Sequence, residues 1–322
     1  MQYGSVPGVD KPISRLVQGL IMVSTKKLDE SFALLDEVFE TGVNTFDSAH
    51  IYGGGDSERV LGRWMEARGL REKVVILTKG AHLNQDRERV TPFDITSDLY
   101  DSLARLKTDY IDLYVLHRDD PKVPVGPIVE ILDEHLQAGR VRAFGGSNWS
   151  HERLQEANEY AAAKGLTGFA VSSPNFSLAE ELEPAWKGCI SLTGEQGRAA
   201  RQWYAKTQMP LFTWSSLARG FFTGRYRRDN LESLTSSSDK LNIRCYASEA
   251  NFTRLDRVME LAKEKHLSGS QIALAYVMNQ PLNIFALVGC EKGQESRENA
   301  QALEVKFTNK EIAYLELRAD TR

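Results

Sequence analysis

The chain has 322 residues, of which 42% are hydrophobic and 26% charged, and its formal net charge is -4. This composition is that of an ordinary globular protein, and it excludes the strongly basic surface that binding to nucleic acid requires. The N-terminal residues lack the basic and apolar segments of a targeting signal, and no apolar run approaches the ~20 residues of a membrane span. We therefore expect a cytoplasmic protein that binds neither nucleic acid nor a membrane.

The cysteines exclude a disulfide framework. Cys189, Cys245 and Cys290 are odd in number and widely spaced, which suits neither a set of disulfides nor a zinc site. We expect all three to be buried free thiols.

In chain order, the sequence repeats one pattern: a short apolar run, a polar loop, and an amphipathic helix that ends at glycine. The first run is 15–20, and the second, 43–47, follows a helix predicted over 31–41, which ends before Gly42. Helices are also predicted before the next two runs, from the spacing of Val60, Leu61, Trp64 and Met65 and of Ile95, Leu99, Leu103 and Leu106. The remaining runs are 74–79, 110–117, 142–148, 169–173, 211–216 and 284–289.

Eight strands that alternate with helices predict an α/β protein, a single (α/β)8 TIM barrel with long loops at its C-terminal face. No change in composition marks a boundary, so we predict one domain over 1–322. A doubly wound sheet is the structural alternative, but no G-x-G-x-x-G follows an early strand. Residues 174–200 and 229–240 interrupt the pattern, and we expect both to be loops at the barrel mouth, the second one mobile.

Polar side chains end three successive predicted strands. Asp47 ends the second strand, with Tyr52 in the loop beyond it; Lys79 ends the third strand and His117 the fourth. Each residue alone has an ordinary structural explanation, such as capping or packing, but the C-terminal ends of barrel strands surround one cavity. A nearby ammonium lowers the pKa of a phenol, and a buried carboxylate keeps a lysine charged. The combination predicts a site that donates a proton to an alkoxide as it forms.

These residues stand in a series of motifs: "NTFDSAHIYG", "LTK", "LARLKTDYIDLYVLH", "GGSN" and "WSSLARGFFTG". In this order, along nearly the whole chain, the motifs resemble the aldo-keto reductase family. The resemblance implies a barrel that reduces aldehydes or ketones with a nicotinamide cofactor, usually NADPH, bound across its C-terminal face. It assigns Tyr52 as the general acid and Lys79 with Asp47 as the pair that tunes it. It assigns His117 as the residue that orients the carbonyl.

The resemblance also implies cofactor contacts. Ser147 and Asn148 are expected at the nicotinamide carboxamide, and the Trp214 ring is expected to stack on the nicotinamide. The other expected contacts are Ser173, Leu217, Arg219, Gly220, Gly289, Glu291, Lys292 and Asn299. Ser173 stands where many relatives have glutamine, and Glu291 stands where a basic residue often binds the 2'-phosphate. We expect NADPH as the cofactor because the family usually uses it, with NADH as the alternative.

The substrate is expected to be a small carbonyl compound whose pocket is lined by Leu20, Ile21, Arg118 and Trp149. An aromatic wall beside several hydrogen-bonding groups suits a polyhydroxylated, sugar-like compound, which suggests a role in sugar metabolism. The alternative is that Arg118 only pairs with the neighbouring Asp119 and Asp120 at the surface.

Two other functions compete with carbonyl reduction. A metal-dependent hydrolase could use His50, His117, Asp119 and Asp120, but no two histidines have a spacing that suits one metal, and we expect no metal site. A regulatory module that resembles the potassium channel β-subunits is the stronger rival, because those relatives retain the catalytic residues. The sequence leaves this alternative and the oligomeric state open.

Overall fold

The computed structural model describes residues 1–322 and begins with an antiparallel ribbon of two strands, β1 (Tyr3–Val6) and β2 (Val9–Ser14). Val6, Val9 and Ile13 belong to the apolar cluster of 13 residues that fills the barrel interior. The ribbon therefore closes one end of the barrel. The sequence pattern does not predict it, because β2 contains a proline and two charged residues and lacks a continuous apolar run.

Eight parallel strands form a closed barrel in which the last strand pairs with the first. The barrel strands are β3 (Leu16–Gly19), β4 (Thr45–Asp47), β5 (Val75–Gly80), β6 (Ile111–Leu116), β7 (Val141–Ser147), β8 (Val171–Ser173), β9 (Leu211–Thr213) and β10 (Ile284–Val288). Each strand overlaps one predicted apolar run, and the predicted (α/β)8 TIM barrel is confirmed. Most observed strands are shorter than the predicted apolar runs. The backbone hydrogen bonds between strands end before the apolar runs of the sequence do.

Helices surround the barrel. They are α1 (Leu28–Glu40), α2 (Asp56–Arg68), α3 (Pro92–Leu106), α4 (Val125–Gln137), α5 (His151–Lys164), α6 (Arg198–Thr207), α7 (Ser237–Tyr246), α8 (Glu249–Lys265), α9 (Gly269–Met278), α10 (Gly293–Ala302) and α11 (Asn309–Leu315). The helix predicted over 31–41 begins three residues earlier, at Leu28. Thr91 caps α3 by accepting a hydrogen bond from the Asp94 amide, directly before Pro92 at the first helical position. None of the helices combines the length and the apolar character needed to cross a membrane.

Two apolar clusters hold the molecule together. The larger, of 65 buried residues, lies between the strands and the helices and includes Trp64 and Phe144. The smaller lies inside the barrel, where the Phe212 and Phe285 rings stack with centroids 4.7 Å apart. The interior of the barrel is thus a packed core, and only its C-terminal end is left for a binding site.

The long segment after β8 crosses this open end. Arg118 Nε donates to the Lys187 carbonyl at 3.2 Å, and the Ile190 amide donates to Asn148 Oδ1 at 3.1 Å. The loop predicted over 174–200 is confirmed up to Gly197, and α6 begins at the next residue.

Two smaller predictions need correction. The segment 229–240 is not a loop throughout, because it contains a 3-10 helix, Leu231–Ser233, and the start of α7, which Ser236 caps. Cys245 and Cys290 are buried free thiols as predicted, whereas Cys189, on the long segment after β8, is only half-buried.

Candidate active site

Side-chain alternation along the barrel strands explains why polar groups meet at the open end. Val75 and Leu77 of β5 belong to the apolar cluster inside the barrel, so Lys79, two residues further on, points the same way. Val115 of β6 belongs to the same cluster, and His117 continues that face. The interior therefore changes from apolar to polar where the strands end.

Lys79 and Asp47 form a buried ion pair. Lys79 is 2% exposed and Asp47 3%, and the ammonium donates to the Asp47 carboxylate and, at 3.0 Å, to the Ser48 carbonyl. Burial alone would lower the pKa of Lys79, but the Asp47 carboxylate and the Tyr52 phenol outweigh it, so this pKa lies above its ordinary value. Burial raises the pKa of Asp47, and the charge of Lys79 opposes that shift. Lys79 is therefore a cation in a site closed to water.

Tyr52 lies above this pair on a tight turn just beyond β4. The three glycines that follow it have φ of 57°, 63° and 89°, a left-handed conformation that glycine adopts readily. The Lys79 Nζ atom lies 5.1 Å from the centre of the half-buried Tyr52 ring. Burial raises the pKa of Tyr52, and the charge of Lys79 offsets this only in part. The expectation of a lowered pKa is therefore wrong for the protein alone, and the phenol stays protonated.

His117 lies beside Tyr52, with ring centroids 5.6 Å apart. It is almost fully buried, and its Nδ1 atom has no hydrogen-bond partner in the protein. Burial, reinforced by the charges of Lys79 and Arg118, holds the pKa of His117 well below its ordinary value. The imidazole is thus neutral at physiological pH and can donate one N–H without adding charge.

The residues expected at a nicotinamide carboxamide lie together at the ends of β7 and β8. Ser147 Oγ donates to the Ser173 carbonyl at 2.8 Å. Asn148 Nδ2 donates to Ser147 Oγ at 3.0 Å and to the His117 carbonyl at 3.3 Å. Ser173 Oγ is buried without a protein partner. Two of the three side chains are thus engaged with the protein, and Ser173 has the free hydroxyl.

Four of the predicted cofactor contacts, Trp214, Leu217, Arg219 and Gly220, lie in the loop that follows β9. Trp214 is half-buried, and its Nε1 atom lacks a partner. Beyond it and Leu217, three successive residues, Ala218, Arg219 and Gly220, have φ of 46°, 53° and 82°. The Ala218 and Gly220 amides already donate to the Ser215 and Leu217 carbonyls at 2.8 and 2.9 Å, whereas the Arg219 Nε atom is buried without a partner and can donate to an anion.

The remaining predicted cofactor residues lie between β10 and α10 or within α10. They are Gly289, Glu291, Lys292 and Asn299. The side chains of Glu291 and Lys292 are exposed, whereas Asn299 is buried and donates to Cys290 Sγ at 3.3 Å. Glu37 accepts a hydrogen bond from the Gly293 amide at 2.9 Å, so a carboxylate already lies at the start of α10.

The structure gives the four predicted substrate residues different environments, although Trp149 Nε1 donates to the Arg118 carbonyl at 3.1 Å. Leu20 is fully buried, and Trp149 is 1% exposed, with its ring packed 4.9 Å from that of Phe169. Neither offers surface to a ligand, because both are enclosed by the core, so they do not form the expected pocket wall. Ile21 is 67% exposed, and Arg118 is buried beside His117.

Two residues near the site were missed by sequence reasoning. The His82 ring lies 4.7 Å from that of His117, and the Trp186 ring lies 6.1 Å from that of Trp214. His82 follows a strand-end lysine by three residues, which is a usable signal. Trp186 has none, because it lies in the middle of the long segment after β8.

Unpartnered buried polar atoms test whether a polar ligand fits here. Seven of them lie at or just beyond the C-terminal ends of barrel strands: Gln18 Oε1, Ser48 Oγ, His50 Nδ1, His117 Nδ1, Ser173 Oγ, Trp214 Nε1 and Arg219 Nε. Buried polar groups in native proteins are normally hydrogen-bonded. A long polar ligand that lies across the barrel end would satisfy several of them, so the residues fit a dinucleotide.

The residues of the metal-hydrolase alternative have other partners. His50 contacts Asp101 at 3.1 Å, and Asp119 pairs with Arg153 at 3.3 Å. No group of three or more His, Cys, Asp or Glu side chains is arranged to hold a metal ion.

Comparison with known proteins identifies the family. The family model for the aldo/keto reductase family matches residues 15–317. The chain belongs to this family. It is an NAD(P)H-dependent oxidoreductase with the (α/β)8 barrel typical of aldo/keto reductases.

Curated relatives of this aldo/keto reductase have diverse names. A probable voltage-gated potassium channel subunit beta from Oryza sativa subsp. japonica is 28% identical over 320 residues, which cover 95% of this chain and 92% of the relative. Norsolorinic acid reductase from Emericella nidulans is 27% identical over 303 residues, 89% of this chain and 71% of the relative.

Solved structures share the fold. Glycerol dehydrogenase from Gluconobacter oxydans superposes with a TM-score of 0.77 at 23% identity, covering 98% of this chain and 94% of its own. An aldo-keto reductase from Klebsiella pneumoniae, solved in complex with NADPH, gives a TM-score of 0.71 at 22% identity, covering 100% and 97%.

The buried ion pair of this aldo/keto reductase leads to a prediction about stability. Lys79→Met should lower the free energy of unfolding by about 3 to 5 kcal/mol, because Asp47 is left as an unpaired buried charge. Adding Asp47→Asn to this variant should recover part of the loss. Urea unfolding followed by circular dichroism measures both.

The matched control is Lys27→Met, which removes one partner of an exposed pair with Glu30 and should cost no more than about 1 kcal/mol. If Lys79→Met cost no more than Lys27→Met, the Lys79–Asp47 pair would not be the buried, mutually dependent unit described above.

Proposed function

We propose that the protein reduces the carbonyl group of an aldehyde or ketone to the alcohol, with NAD(P)H as the hydride donor and Tyr52 as the proton donor. One observation carries this proposal: a protonated phenol lies beside a buried ammonium, with a neutral imidazole next to it. That combination suits protonation of an alkoxide as it forms and has no evident use in the barrel core.

The residues would divide the chemistry as follows. A bound reduced nicotinamide supplies hydride from C4 to the carbonyl carbon. His117 donates a hydrogen bond that holds the carbonyl oxygen, and Tyr52 transfers its phenolic proton to that oxygen. Lys79 stabilises the phenolate left behind, since an adjacent cation favours the charged form of the phenol. Asp47 keeps Lys79 charged throughout and thereby tunes the acidity of Tyr52.

The free polar groups at the barrel end support the proposed cofactor site. Ser173 Oγ, together with Ser147 and Asn148, would receive the carboxamide, and Trp214 would stack on the ring. The turn around Arg219, with Leu217 and Gly220, would hold the pyrophosphate. The related Klebsiella pneumoniae structure is in complex with NADPH, which supports the same cofactor here.

NADPH is the proposed physiological cofactor, with only a small preference over NADH. Two exposed cations, Lys292 and Arg297, make no ion pair in the protein and could bind a 2'-phosphate. The exposed carboxylates of Glu291 and Glu295 lie in the same segment and would repel it. Because exposed charges are screened by solvent and salt, each should change affinity modestly.

The proposed substrate is a small, polar, sugar-like carbonyl compound. The polar groups near the reacting centre, His82 and Arg118, support this proposal more than the relatives do. A glycerol dehydrogenase and a norsolorinic acid reductase are similar to this chain at comparable identity, and their names point to unlike substrates. A role in sugar metabolism and a cytoplasmic location remain predictions from the sequence.

A second candidate function is a cofactor-binding regulatory module with little turnover. The similarity to a probable potassium channel subunit beta favours it. The two candidates differ in steady-state kinetics. An enzyme oxidises many equivalents of NADPH in the presence of a good aldehyde, whereas a module gives a single burst and then stops.

The central prediction concerns Tyr52. Tyr52→Phe should lower kcat for aldehyde reduction by about 10²- to 10⁴-fold, the usual contribution of one positioned general acid. Cofactor affinity should hardly change, because the phenol is not a predicted cofactor contact. Stopped-flow kinetics and fluorescence titration with NADPH measure the two effects. Tyr3→Phe, at an exposed tyrosine, is the control. A Tyr52→Phe protein that binds cofactor and keeps kcat within about threefold of wild type would rule out Tyr52 as the acid.

A further prediction concerns cofactor choice. NADPH should bind more tightly than NADH by less than about tenfold, or about 1.4 kcal/mol. Glu291→Gln should widen this difference by removing a repulsive charge, and Lys292→Gln should narrow it. Fluorescence titration of both cofactors measures the ratio, with Glu304→Gln as an exposed carboxylate control. The proposal would be contradicted if NADH bound more tightly than NADPH, or if Glu291→Gln left the ratio of the two affinities unchanged.

A further inference from the structure

Arg118 is a buried cation without a counter-ion. Its side chain is 5% exposed and makes two hydrogen bonds, both to backbone carbonyls: Nε donates to Lys187 at 3.2 Å and Nη1 donates to His117 at 2.7 Å. The Nη2 atom has no partner in the protein. A buried charge is costly unless it is paired, and carbonyl groups leave the full positive charge in place.

The nearby carboxylates are engaged elsewhere. Asp119 pairs with Arg153 at 3.3 Å, and Asp120 accepts a hydrogen bond from the Lys122 amide at 3.1 Å. Glu88, the acidic residue that contacts the long segment after β8, pairs with the Lys187 ammonium at 2.9 Å. The alternative in which Arg118 merely pairs with Asp119 and Asp120 is therefore wrong, and the charge of Arg118 has no counter-ion within the protein.

The position of Arg118 ties it to the reacting centre. It follows His117 directly and bonds to the carbonyl of that residue. Its charge contributes to lowering the pKa of His117 and of His82, after burial as the main cause, and it opposes the rise in the pKa of Tyr52. Arg118 therefore lies directly beside His117, just beyond the end of β6, where the polar side chains of the site meet.

We propose that Arg118 binds an anionic group, a carboxylate or a phosphate, on the carbonyl substrate. The proposal rests on the reductase function proposed above and narrows its substrate class from polar carbonyl compounds to acidic ones. Guanidinium groups bind both anions through charge-assisted hydrogen bonds, and the free Nη2 atom supplies a donor.

His82 completes the polar surroundings. Its ring lies 4.7 Å from that of His117, and its Nδ1 atom bonds to the Leu83 carbonyl at 2.7 Å. Because that carbonyl can only accept, Nδ1 carries the hydrogen, and Nε2 is left with a lone pair in the neutral ring. A hydroxyl group on the substrate would find an acceptor there, while Arg118 holds the anion.

Matched pairs of substrates test the proposal. Carboxybenzaldehyde is compared with carbamoylbenzaldehyde for the carboxylate, and glyceraldehyde phosphate with glyceraldehyde for the phosphate. Wild type should prefer the anionic member of at least one pair by about tenfold or more in kcat/KM, and the pair that shows this identifies the anion. Arg118→Gln should reduce the preference to within about twofold, and because each preference is a ratio within a matched pair, a general change in activity cancels from it. Arg118→Lys should retain part of the preference.

Lys187→Gln is the matched control, because it removes an exposed charge from the segment that Arg118 contacts and should leave the preference unchanged. Equal kcat/KM within both pairs in wild type, or a preference that survives Arg118→Gln, overturns the proposal. Turnover of the neutral aldehydes reports separately on the reductase function.

A binding measurement decides the matter even without turnover. Benzoate and inorganic phosphate are titrated calorimetrically into the protein loaded with NADP⁺. At least one should bind, and Arg118→Gln should weaken it by about tenfold or more. Absence of binding for both anions, or equal binding by Arg118→Gln, overturns the proposal independently of any activity.

Discussion

The buried ion pair between Lys79 and Asp47 is the interaction on which the site depends. Removing two charges from water costs several kcal/mol for each ion, and the cost is offset only by close geometry and further hydrogen bonds. The adjacent ends of β4 and β5 supply that geometry, and the Ser48 carbonyl supplies an additional acceptor. A barrel that needed only stability would gain more from apolar side chains at these positions.

The Tyr52 turn brings a phenol close to the ion pair. Three left-handed glycines return the chain over Lys79, so that the half-buried Tyr52 ring lies 5.1 Å from the buried ammonium. Burial keeps the phenol protonated, and the ammonium stabilises the phenolate that proton transfer would leave. Just beyond the end of β6, burial likewise keeps His117 neutral. Burial thus keeps both the Tyr52 phenol and the His117 imidazole uncharged.

The two ends of the barrel have different roles. At the N-terminal end, the β1–β2 ribbon packs on the apolar cluster inside the barrel and closes it. This end therefore contributes buried apolar contacts that stabilise the fold. At the C-terminal end the long segment after β8 contacts Arg118 and Asn148, and it brings Trp186 near Trp214. Loop residues thereby surround polar side chains that lie at the ends of the strands. In barrels of this kind, loops can vary while the residues at the strand ends stay in place.

The strands and the position of Asp47, Lys79 and His117 at the barrel mouth were predictable because both follow from periodicity. Buried parallel strands read as apolar runs, and the alternation that puts Val75 and Leu77 inside the barrel also puts Lys79 at its mouth. The resemblance to the family supplied the roles. Neither periodicity nor the family resemblance predicts the β1–β2 ribbon, which tertiary contacts stabilise despite Pro12. Neither predicts a role for Trp186, which lies in a segment without periodicity.

Errors arose where burial competes with another effect. The pKa of Tyr52 rises because desolvation exceeds the influence of Lys79, and sequence gives no measure of that balance. Leu20 and Trp149 stand next to strand ends, as pocket residues do, but the core encloses both. The charge of Arg118 could not be interpreted until the partners of Asp119 and Asp120 were known.

A double-mutant cycle in kcat tests most directly whether Lys79 acts through Tyr52. The proteins are wild type, Tyr52→Phe, Lys79→Met and the double variant, each checked for cofactor binding, with a neutral aldehyde as substrate. If the ammonium works by stabilising the Tyr52 phenolate, the double variant should be no slower than Tyr52→Phe alone, within about threefold. Losses that multiply in the double variant would show that Lys79 contributes independently of Tyr52 and would contradict the account.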